Sequence, residues 1–324
     1  MPNIAITNFC NLQCKYCFAD DMIQEEKKYM SFEDFQKVLR FLAVDEAPEV
    51  VGIIGGEPTL HPDFDLFLDE LLDFRFHVGS KCLIFTNGIK LQPYLPKILK
   101  ERIDVLINCN SPQFQPQEDY NQLLQTLEMC GEAIEEDLIR CGCNIYLECK
   151  DYSYFWNDIV DKYHCPVVRM SLVSPGKCYN VWNSQEKKYD YYSLLKPYVM
   201  DFLREAQKRK VKVCFDCNQI PICMLTPEEM SMVVEVSEKL PRLQCDGGLD
   251  IDVNLKGFNC FSTYDHHIEI DKFTSVMEVK TYLLMEHLHS LMKNNKGGMC
   301  EGCEKGKLHI CQGGCLSFSK GVEQ

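Results

Sequence analysis

The sequence predicts an α/β fold built on a parallel sheet, followed by a smaller cysteine-rich region. Through the first half of the chain, short apolar runs alternate with amphipathic stretches, and from Val211 onward this alternation stops while cysteines and glycine turns become frequent. A chain of 324 residues has room for one large domain and a smaller one. We therefore predict one domain at 1–210 and a second at 211–324.

Six apolar runs rich in β-branched and aromatic residues predict the strands. They are NIAIT (3–7), VVGII (50–54), KCLIFT (81–86), DVLINC (104–109), NIYLEC (144–149) and PVVRMSLV (166–173). Because an amphipathic stretch follows each run, we expect parallel strands joined by right-handed crossovers. An open doubly wound sheet and a partial barrel both fit this pattern. In both, functional residues gather at the carboxyl ends of the strands.

Helical spacing of apolar residues predicts helices between these strands. The first helix has a capping signal at its start, because Ser31 precedes the apolar stripe and Asp34 follows three residues later. Helices are predicted at 31–42, 63–72, 91–100, 119–130 and 153–163, with a long helix at 191–208 after a polar loop at 174–190.

The charge balance argues against a nucleic-acid partner. The chain has 48 acidic and 34 basic residues, a net charge of −14, which opposes binding to phosphates. No apolar run approaches the roughly 20 residues of a membrane helix, and the N-terminus MPNIAITNFC lacks the features of a signal peptide. We therefore expect a cytoplasmic protein without a membrane partner. Cysteines stay reduced there, so the clustered ones are predicted metal ligands.

The first cysteine cluster directly follows the first predicted strand. Cys10, Cys14 and Cys17 have the spacing C-x3-C-x2-C. Three thiolates on one short loop can bind three irons of a cubane cluster and leave the fourth iron without a protein ligand. A structural zinc loop and a set of buried, unreactive thiols are the alternatives, although zinc would need a fourth ligand. The spacing favours the iron–sulfur interpretation.

The second predicted strand ends in IIGGEPTLHP. Gly55 and Gly56 allow close approach to the backbone, and Glu57 adds a carboxylate. Taken alone, this segment is typical of a plain glycine turn. Located one strand–helix unit after a cysteine loop in which the aromatic Tyr16 precedes the last cysteine, it closely resembles the radical S-adenosylmethionine (SAM) superfamily. The resemblance covers residues 3 to about 175.

This resemblance implies a partial (β/α)6 TIM-like barrel, a 4Fe–4S cluster on the three cysteines, and SAM bound at the open iron. One electron from the reduced cluster would cleave SAM to a 5′-deoxyadenosyl radical, which removes a hydrogen atom from the substrate. The glycine–glycine–glutamate motif would hold the SAM amino group. The predicted SAM-binding residues are Tyr16, Gly55, Gly56, Glu57, Thr86, Asn87, Asn108, Ser111, Glu148, Arg169 and Ser171. Without the resemblance, those at the ends of the later strands would be interpreted as ordinary polar residues.

A second group of cysteines lies near the C-terminal end, where CEGCEKGKLHICQGGC has the spacing C-x2-C-x7-C-x3-C. Tight-turn glycines around these cysteines favour a metal site, and a zinc ribbon is the alternative to iron–sulfur clusters. The order of cysteines resembles the SPASM or twitch extension of radical SAM enzymes, which carries auxiliary 4Fe–4S clusters. The middle gap is seven residues where the family usually has five, and the family's usual later cysteine is missing.

The resemblance implies that Cys245, Cys260 and Cys315 share one auxiliary cluster. A second cluster would use Cys300, Cys303 and Cys311, which leaves Cys217 and Cys223 as candidate fourth ligands. Eight cysteines suffice for two fully ligated clusters, which we favour over a single one. The remaining cysteines are expected mostly in the core. They are Cys82, Cys109, Cys130, Cys141, Cys143, Cys149, Cys165 and Cys178.

A radical SAM domain with a SPASM-like extension resembles enzymes that modify peptides, such as those that crosslink ribosomally synthesised peptides. A peptide substrate is therefore expected, with a flavodoxin or ferredoxin as electron donor. Because the first strand begins at once, leader recognition would call for a separate protein, or for the C-terminal tail and helices themselves. The alternatives are a radical SAM dehydrogenase acting on a small molecule and a non-catalytic iron–sulfur or zinc protein. No catalytic acid, base or hydrogen donor is predicted.

Overall fold

The computed structural model describes residues 1–23, 26–174, 185–245, 247–295, 300–308 and 310–319. The strands of these residues form one ten-stranded sheet in the order β10–β9–β8–β1–β2–β3–β4–β5–β6–β7. Their bounds are β1 (Pro2–Ala5), β2 (Val50–Ile54), β3 (Lys81–Thr86), β4 (Asp104–Asn108), β5 (Ile139–Ile145), β6 (Val167–Leu172), β7 (Lys212–Phe215), β8 (Leu249–Ile251), β9 (Lys256–Phe258) and β10 (Ile268–Glu269).

Strands β1 to β6 are parallel, and each pairs with its neighbour in the chain. Helices connect consecutive strands, which is the arrangement of a partial (β/α)6 barrel and confirms the predicted fold class. The α-helices are α1 (Asp20–Ile23), α2 (Phe32–Leu42), α3 (Phe64–Val78), α4 (Leu95–Glu101), α5 (Gln117–Met129), α6 (Gly131–Glu135), α7 (Gln185–Arg209), α8 (Pro227–Val236), α9 (Val276–Leu283), α10 (His289–Asn294) and α11 (Glu304–Lys307).

The predicted fifth strand at 144–149 is wrong, because β5 spans Ile139–Ile145. Its sequence IRCGCNI is poor in strong strand formers, but it pairs with β4 on one side and β6 on the other, and this pairing overrides propensity. Gly142 lies against Arg169 of β6, since an ideal Cβ there would be 3.3 Å from Arg169 Cδ. Because β5 ends at Ile145, Glu148 lies beyond the strand.

The predicted capping signal is confirmed at the start of α2, where Ser31 Oγ accepts a hydrogen bond of 3.1 Å from the backbone N–H of Asp34. Two other helix predictions need correction. Helix α7 begins at Gln185, within the segment predicted as a loop, because its glutamates and lysines favour helix. Residues Phe155–Val160, predicted as α-helix, form a π-helix.

The predicted core cysteines are confirmed where the structure describes them, since Cys82, Cys109, Cys130, Cys141, Cys143, Cys149 and Cys165 are all buried. Cys178 lies outside the described residues.

Residues after 210 extend both sides of the barrel sheet. Strand β7 pairs in parallel with β6, and β8 pairs in parallel with β1. The domain boundary near residue 210 stays a prediction. Among the described helices, none combines the length and apolar character that crossing a membrane demands.

Candidate functional site

Cys10, Cys14 and Cys17 lie on the loop after β1 and are partly buried. This loop is attached to the end of β2 by two backbone hydrogen bonds. The N–H of Gly56 donates to Thr7 O at 2.8 Å, and the N–H of Glu57 donates to Phe9 O at 2.8 Å. The hydrogen-bonding pattern of β1 and β2 thus continues past the strands, and it positions the cysteine loop at their carboxyl ends.

The two glycines at the end of β2 are needed because the cysteine loop packs against them. An ideal Cβ at Gly55 would lie 2.4 Å from Thr7 O, and one at Gly56 would lie 2.3 Å from Phe9 O and 2.9 Å from Cys10 N. Real Cβ atoms do not approach other atoms so closely. A side chain at either position would therefore displace the backbone that carries Cys10.

Glu57 is buried and accepts four hydrogen bonds. Its Oε1 accepts from the N–H of Thr59 at 3.2 Å, from Thr59 Oγ1 at 2.6 Å and from Thr86 Oγ1 at 2.6 Å, while Oε2 accepts from the N–H of Asn87 at 2.7 Å. Burial raises the pKa of Glu57, and these donors oppose the rise. The carboxylate thus ties the end of β2 to the end of β3.

The cysteine loop also contacts the ends of β3 and β4. Asn87 Nδ2 donates to Asn11 Oδ1 at 2.9 Å, and Asn110 Nδ2 donates to Cys14 Sγ at 3.5 Å. The hydroxyl of Tyr16 donates to Asn110 Oδ1. Asn110 is not among the predicted site residues, although its position in the strand-end segment NCNSP is a signal of the kind that identified its neighbours.

Burial keeps Cys10 and Cys14 in the thiol form when nothing is bound. Burial, together with the charges of Glu57 and Cys14, raises the pKa of Cys10 to about 12, against hydrogen bonds from the backbone. Burial also raises the pKa of Cys14. One of the backbone hydrogen bonds that oppose the rise at Cys10 runs from Leu12 N–H to Cys10 Sγ at 3.4 Å. A bound cation would be needed to hold these sulfurs as thiolates.

Arg169 connects polar side chains at the ends of three other strands. Its guanidinium donates to Asn108 Oδ1 at 3.2 Å, to Asn144 Oδ1 at 2.8 Å and to the carboxylate of Asp216. Burial acts to raise the pKa of Asp216, but the charge of Arg169 and further hydrogen bonds, including one from Ser171, outweigh it and lower the pKa. The structure thus brings three predicted residues, Asn108, Arg169 and Ser171, together around Asp216.

The two remaining predicted residues lie on loops. Ser111 Oγ accepts a hydrogen bond of 3.3 Å from Gln113 N–H and caps a short 3-10 helix. Glu148 is exposed in the loop after β5. In the same loop, Tyr146 packs on Tyr16 with ring centroids 4.5 Å apart. An aromatic surface therefore borders the cysteine loop beside β5, and the sequence offered no signal for Tyr146.

The C-terminal cysteines form two groups. Cys223, Cys300, Cys303 and Cys311 line one cavity and are called the Cys303 set below. Cys303 precedes α11, and the N–H groups of Gly306 and Lys305 lower its pKa. Gly313 N–H donates to Cys311 Sγ at 3.4 Å.

Cys217, Cys245, Cys260 and Cys315 form the other group, called the Cys260 set. Burial, and then the charges of Cys315 and Cys245 among others, raise the pKa of Cys260 to about 12. Desolvation also raises the pKa of Cys217, and the charges of Asp216, Cys260, Cys315 and Cys245 add to this effect. The structure therefore places Cys217 with the Cys260 set and Cys223 with the Cys303 set.

Within the described ranges, no group of three or more His, Cys, Asp or Glu side chains is arranged to hold a single metal ion. The thiol ligands of a cubane cluster lie farther apart than those of one ion, because each binds a different iron.

Residues 4–143 match the radical SAM superfamily. A GTP 3′,8-cyclase from Nautilia profundicola is 29% identical over 115 residues, which cover 34% of this chain and 35% of that protein. A 7,8-dihydro-6-hydroxymethylpterin dimethyltransferase from Methanocaldococcus jannaschii is 35% identical over 102 residues, 30% of this chain and 19% of that protein. The chain thus matches well under half of the length of these curated relatives.

Structural similarity extends over almost the whole chain. The crystal structure of Streptococcus suis SuiB bound to SAM superposes with a TM-score of 0.65 at 19% identity, covering 98% of this chain and 72% of SuiB. SuiB bound to its precursor peptide SuiA gives a TM-score of 0.63 over 98% of this chain and 71% of SuiB, also at 19% identity. A structure of anSMEcpe with AdoMet and a peptide gives 0.67 at 16% identity, covering 99% of this chain and 91% of that protein.

SuiB and anSMEcpe are radical SAM enzymes with SPASM domains, and this chain has their fold. The match over residues 4–143 includes the cysteine loop, the glycine–glycine–glutamate segment and the ends of β1 to β4. Residues 4–143 of the chain therefore carry a radical SAM domain.

Proposed function

We propose that this protein is a radical SAM enzyme that modifies a peptide, with one SAM-binding cluster and two auxiliary clusters. The observation that carries this proposal is the extent of structural similarity. The similarity to SuiB and anSMEcpe covers 98–99% of the chain, including both C-terminal cysteine sets, and both proteins have been solved with a bound peptide. A ribosomally synthesised peptide is the substrate class that we favour.

The residues after β1 fit a 4Fe–4S cluster with one open iron. Three thiols lie on one short loop, and Leu12 N–H and Asn110 Nδ2 are directed at two of the sulfurs. Donors of this kind orient ligand sulfurs and stabilise their negative charge. Cys10, Cys14 and Cys17 would hold the cluster. The radical SAM match over residues 4–143 implies this cluster and SAM.

The geometry suggests different roles for the residues around SAM. Because four donors already satisfy the Glu57 carboxylate, we propose that Glu57 positions the loop and that backbone groups of Gly55 and Gly56 face the SAM amino group. Tyr16 and Tyr146 would border the adenosyl side. The other predicted SAM-binding residues, at the ends of β3, β4 and β6, stay proposals.

The Cys260 set and the Cys303 set each offer four thiols, which fits two fully ligated 4Fe–4S clusters. Cys217 and Cys223 would be the fourth ligands of the two clusters, respectively. When bound, the SAM-binding cluster supplies an electron that cleaves SAM and generates the radical that abstracts hydrogen. An external flavodoxin or ferredoxin is the proposed electron donor.

Anaerobic reconstitution tests the proposed clusters. We expect about twelve irons per chain in the wild type and about eight in the Cys10→Ala, Cys14→Ala, Cys17→Ala triple variant. The wild type with dithionite and SAM should form 5′-deoxyadenosine, and the triple variant should not. About four irons in the wild type would contradict both auxiliary clusters, and about eight would contradict the two-cluster version. Formation of 5′-deoxyadenosine by the triple variant would contradict the SAM site.

A small-molecule substrate is the second candidate, because the curated relatives include GTP 3′,8-cyclases. Their similarity covers at most 45% of the chain in these two matches. Mass spectrometry can distinguish a peptide substrate from a small-molecule substrate. Turnover of GTP by the reconstituted enzyme would favour the second candidate, whereas a mass change in a peptide encoded beside this protein would favour the first.

A further inference from the structure

Lys188, in the first turn of α7, is completely buried. A buried ammonium is costly unless opposite charge and hydrogen-bond acceptors surround it. Its Nζ donates to Asn295 O at 2.8 Å and to Asn295 Oδ1 at 3.2 Å, two oxygens that carry no net charge. Compensation by negative charge must therefore come from other neighbours.

Cysteines of both C-terminal sets supply that charge when they are deprotonated as cluster ligands. Burial lowers the pKa of Lys188, and the thiolate charges of Cys300, Cys311 and Cys223 of the Cys303 set and of Cys315 of the Cys260 set oppose this lowering. The lysine is thus near both candidate clusters at once.

The backbone around Gly313 fixes this arrangement. An ideal Cβ at Gly313 would lie 2.8 Å from Cys300 Sγ, 3.0 Å from Asn295 O and 3.4 Å from Lys188 Nζ, so the thiol, the carbonyl and the ammonium all meet there. Asn295 Nδ2 also donates to Gln312 O at 2.8 Å and to Gly314 O at 3.1 Å. The amide that accepts from Lys188 therefore also holds the chain between Cys311 and Cys315.

The same turns of α7 contact ligand sulfurs or their backbone directly. Tyr189 Oη lies 2.7 Å from Cys300 Sγ. Tyr192 Oη accepts a hydrogen bond of 3.0 Å from Cys315 N–H and donates to Asn218 Oδ1 at 2.7 Å. The start of α7 is therefore packed between the two sets, and Lys188 is a buried cation of this turn.

We infer that Lys188 is a counter-cation shared by the two auxiliary clusters and that it raises the reduction potentials of both. A thiolate-ligated cluster is anionic, and reduction adds a further negative charge. A buried positive charge therefore stabilises the reduced state more than the oxidised state. This inference rests on the auxiliary clusters of the proposed function.

The test is an anaerobic redox titration monitored by electron paramagnetic resonance. Lys188→Met is placed in the Cys10→Ala, Cys14→Ala, Cys17→Ala background, in which only auxiliary clusters contribute. Lys208→Met is the matched control, because Lys208 lies on the same helix with a side chain that is 73% exposed. We expect more negative midpoint potentials for Lys188→Met than for the background protein, and no shift for Lys208→Met.

Unchanged potentials in an iron-loaded Lys188→Met variant would overturn the inference and leave the proposed clusters intact. If Lys188→Met fails to take up auxiliary iron, the iron content of Lys188→Arg distinguishes a need for the charge from a need for the packing of Lys188. Recovery of iron by Lys188→Arg would support a required buried cation, and equal loss in both variants would show that packing rather than charge matters. Absence of iron from the background protein would contradict the auxiliary clusters themselves, and this inference with them.

Discussion

The glycines at the end of β2 are constrained by the cysteine loop and not only by a ligand. The atoms that exclude a side chain from Gly56 are Phe9 O, Phe9 C and Cys10 N. The sequence suggested that these glycines let a ligand approach, and the structure adds that protein backbone fills much of that space. Two segments that look separate in the sequence thus form one unit.

Gly56→Ala should disable the site by moving Cys10. Overpacking of this kind costs roughly 1–3 kcal/mol, and relief by a loop shift would misplace the first cluster ligand. We expect loss of about four irons and of 5′-deoxyadenosine formation. Gly131→Ala is the control, because a Cβ at Gly131 meets no atom within 4 Å. Full iron loading and activity in Gly56→Ala would refute the steric explanation.

Residue-scale prediction from sequence worked best where local spacing carries the information. The spacing of Cys10, Cys14 and Cys17 predicted a candidate cluster site, because all three cysteines lie on one loop. The partners of Cys217 and Cys223 were open in the sequence, since tertiary folding alone decides which set each joins. Lys188 had no signal, because lysines are rarely buried and its neighbourhood is rich in charged residues.

At the scale of elements, the start of α2 was predicted from its capping signal, whereas α8, which begins with a capping box of Thr226 and Glu229, was not predicted. The start of α2 was marked by Ser31, which both accepts from Asp34 N–H at 3.1 Å and donates to Asp34 Oδ2 at 2.7 Å. Strand β5 was misplaced because Arg140, Gly142 and Asn144 are poor strand formers. Polar side chains are needed there, since Asn144 Oδ1 accepts from Arg169.

Ser31→Ala should weaken the start of α2 without affecting the cysteine loop. Loss of an N-cap costs about 1 kcal/mol, because a backbone N–H loses its acceptor. The expected result is a lower urea midpoint for unfolding, with iron content and 5′-deoxyadenosine formation unchanged at low denaturant. Ser31→Asp, which keeps an acceptor, is the control and should retain most of the stability. An equal loss in both variants would argue against capping as the cause.

At the scale of the whole molecule, a buried pair of side chains joins the first strand to the C-terminal part of the sheet. Asn3 of β1 donates from Nδ2 to Asp250 Oδ1 of β8 at 2.6 Å. Asp250 is buried, and burial raises its pKa to about 7, against the effect of the hydrogen bonds from Asn3. The other amide atom of this pair, Asn3 Oδ1, is buried and has no hydrogen-bond partner among the described residues.

The raised pKa of Asp250 predicts a pH-dependent stability. Because the folded protein binds this proton more tightly than the unfolded chain, the contribution is complete below about pH 4 and is lost as the pH rises through about 7. Within that window the loss is on the order of 1 kcal/mol per pH unit. Asp250→Asn should remove this slope in anaerobic urea unfolding of the iron-loaded protein. The control Asp119→Asn, at a half-buried position, should keep it. Parallel pH profiles for the wild type and Asp250→Asn would rule out Asp250 as the source.

The pairing of β1 with β8 has a consequence for how the protein is made. Residues 2–4 of β1 pair with residues 249–251, so roughly three quarters of the chain must leave the ribosome before β1 gains its second neighbour. Until then β1 is an edge strand, next to a loop with three thiols. Such distant pairing folds slowly and exposes apolar strands for longer. Nascent chains should therefore depend on chaperones, and iron insertion into a finished site should follow the release of the chain.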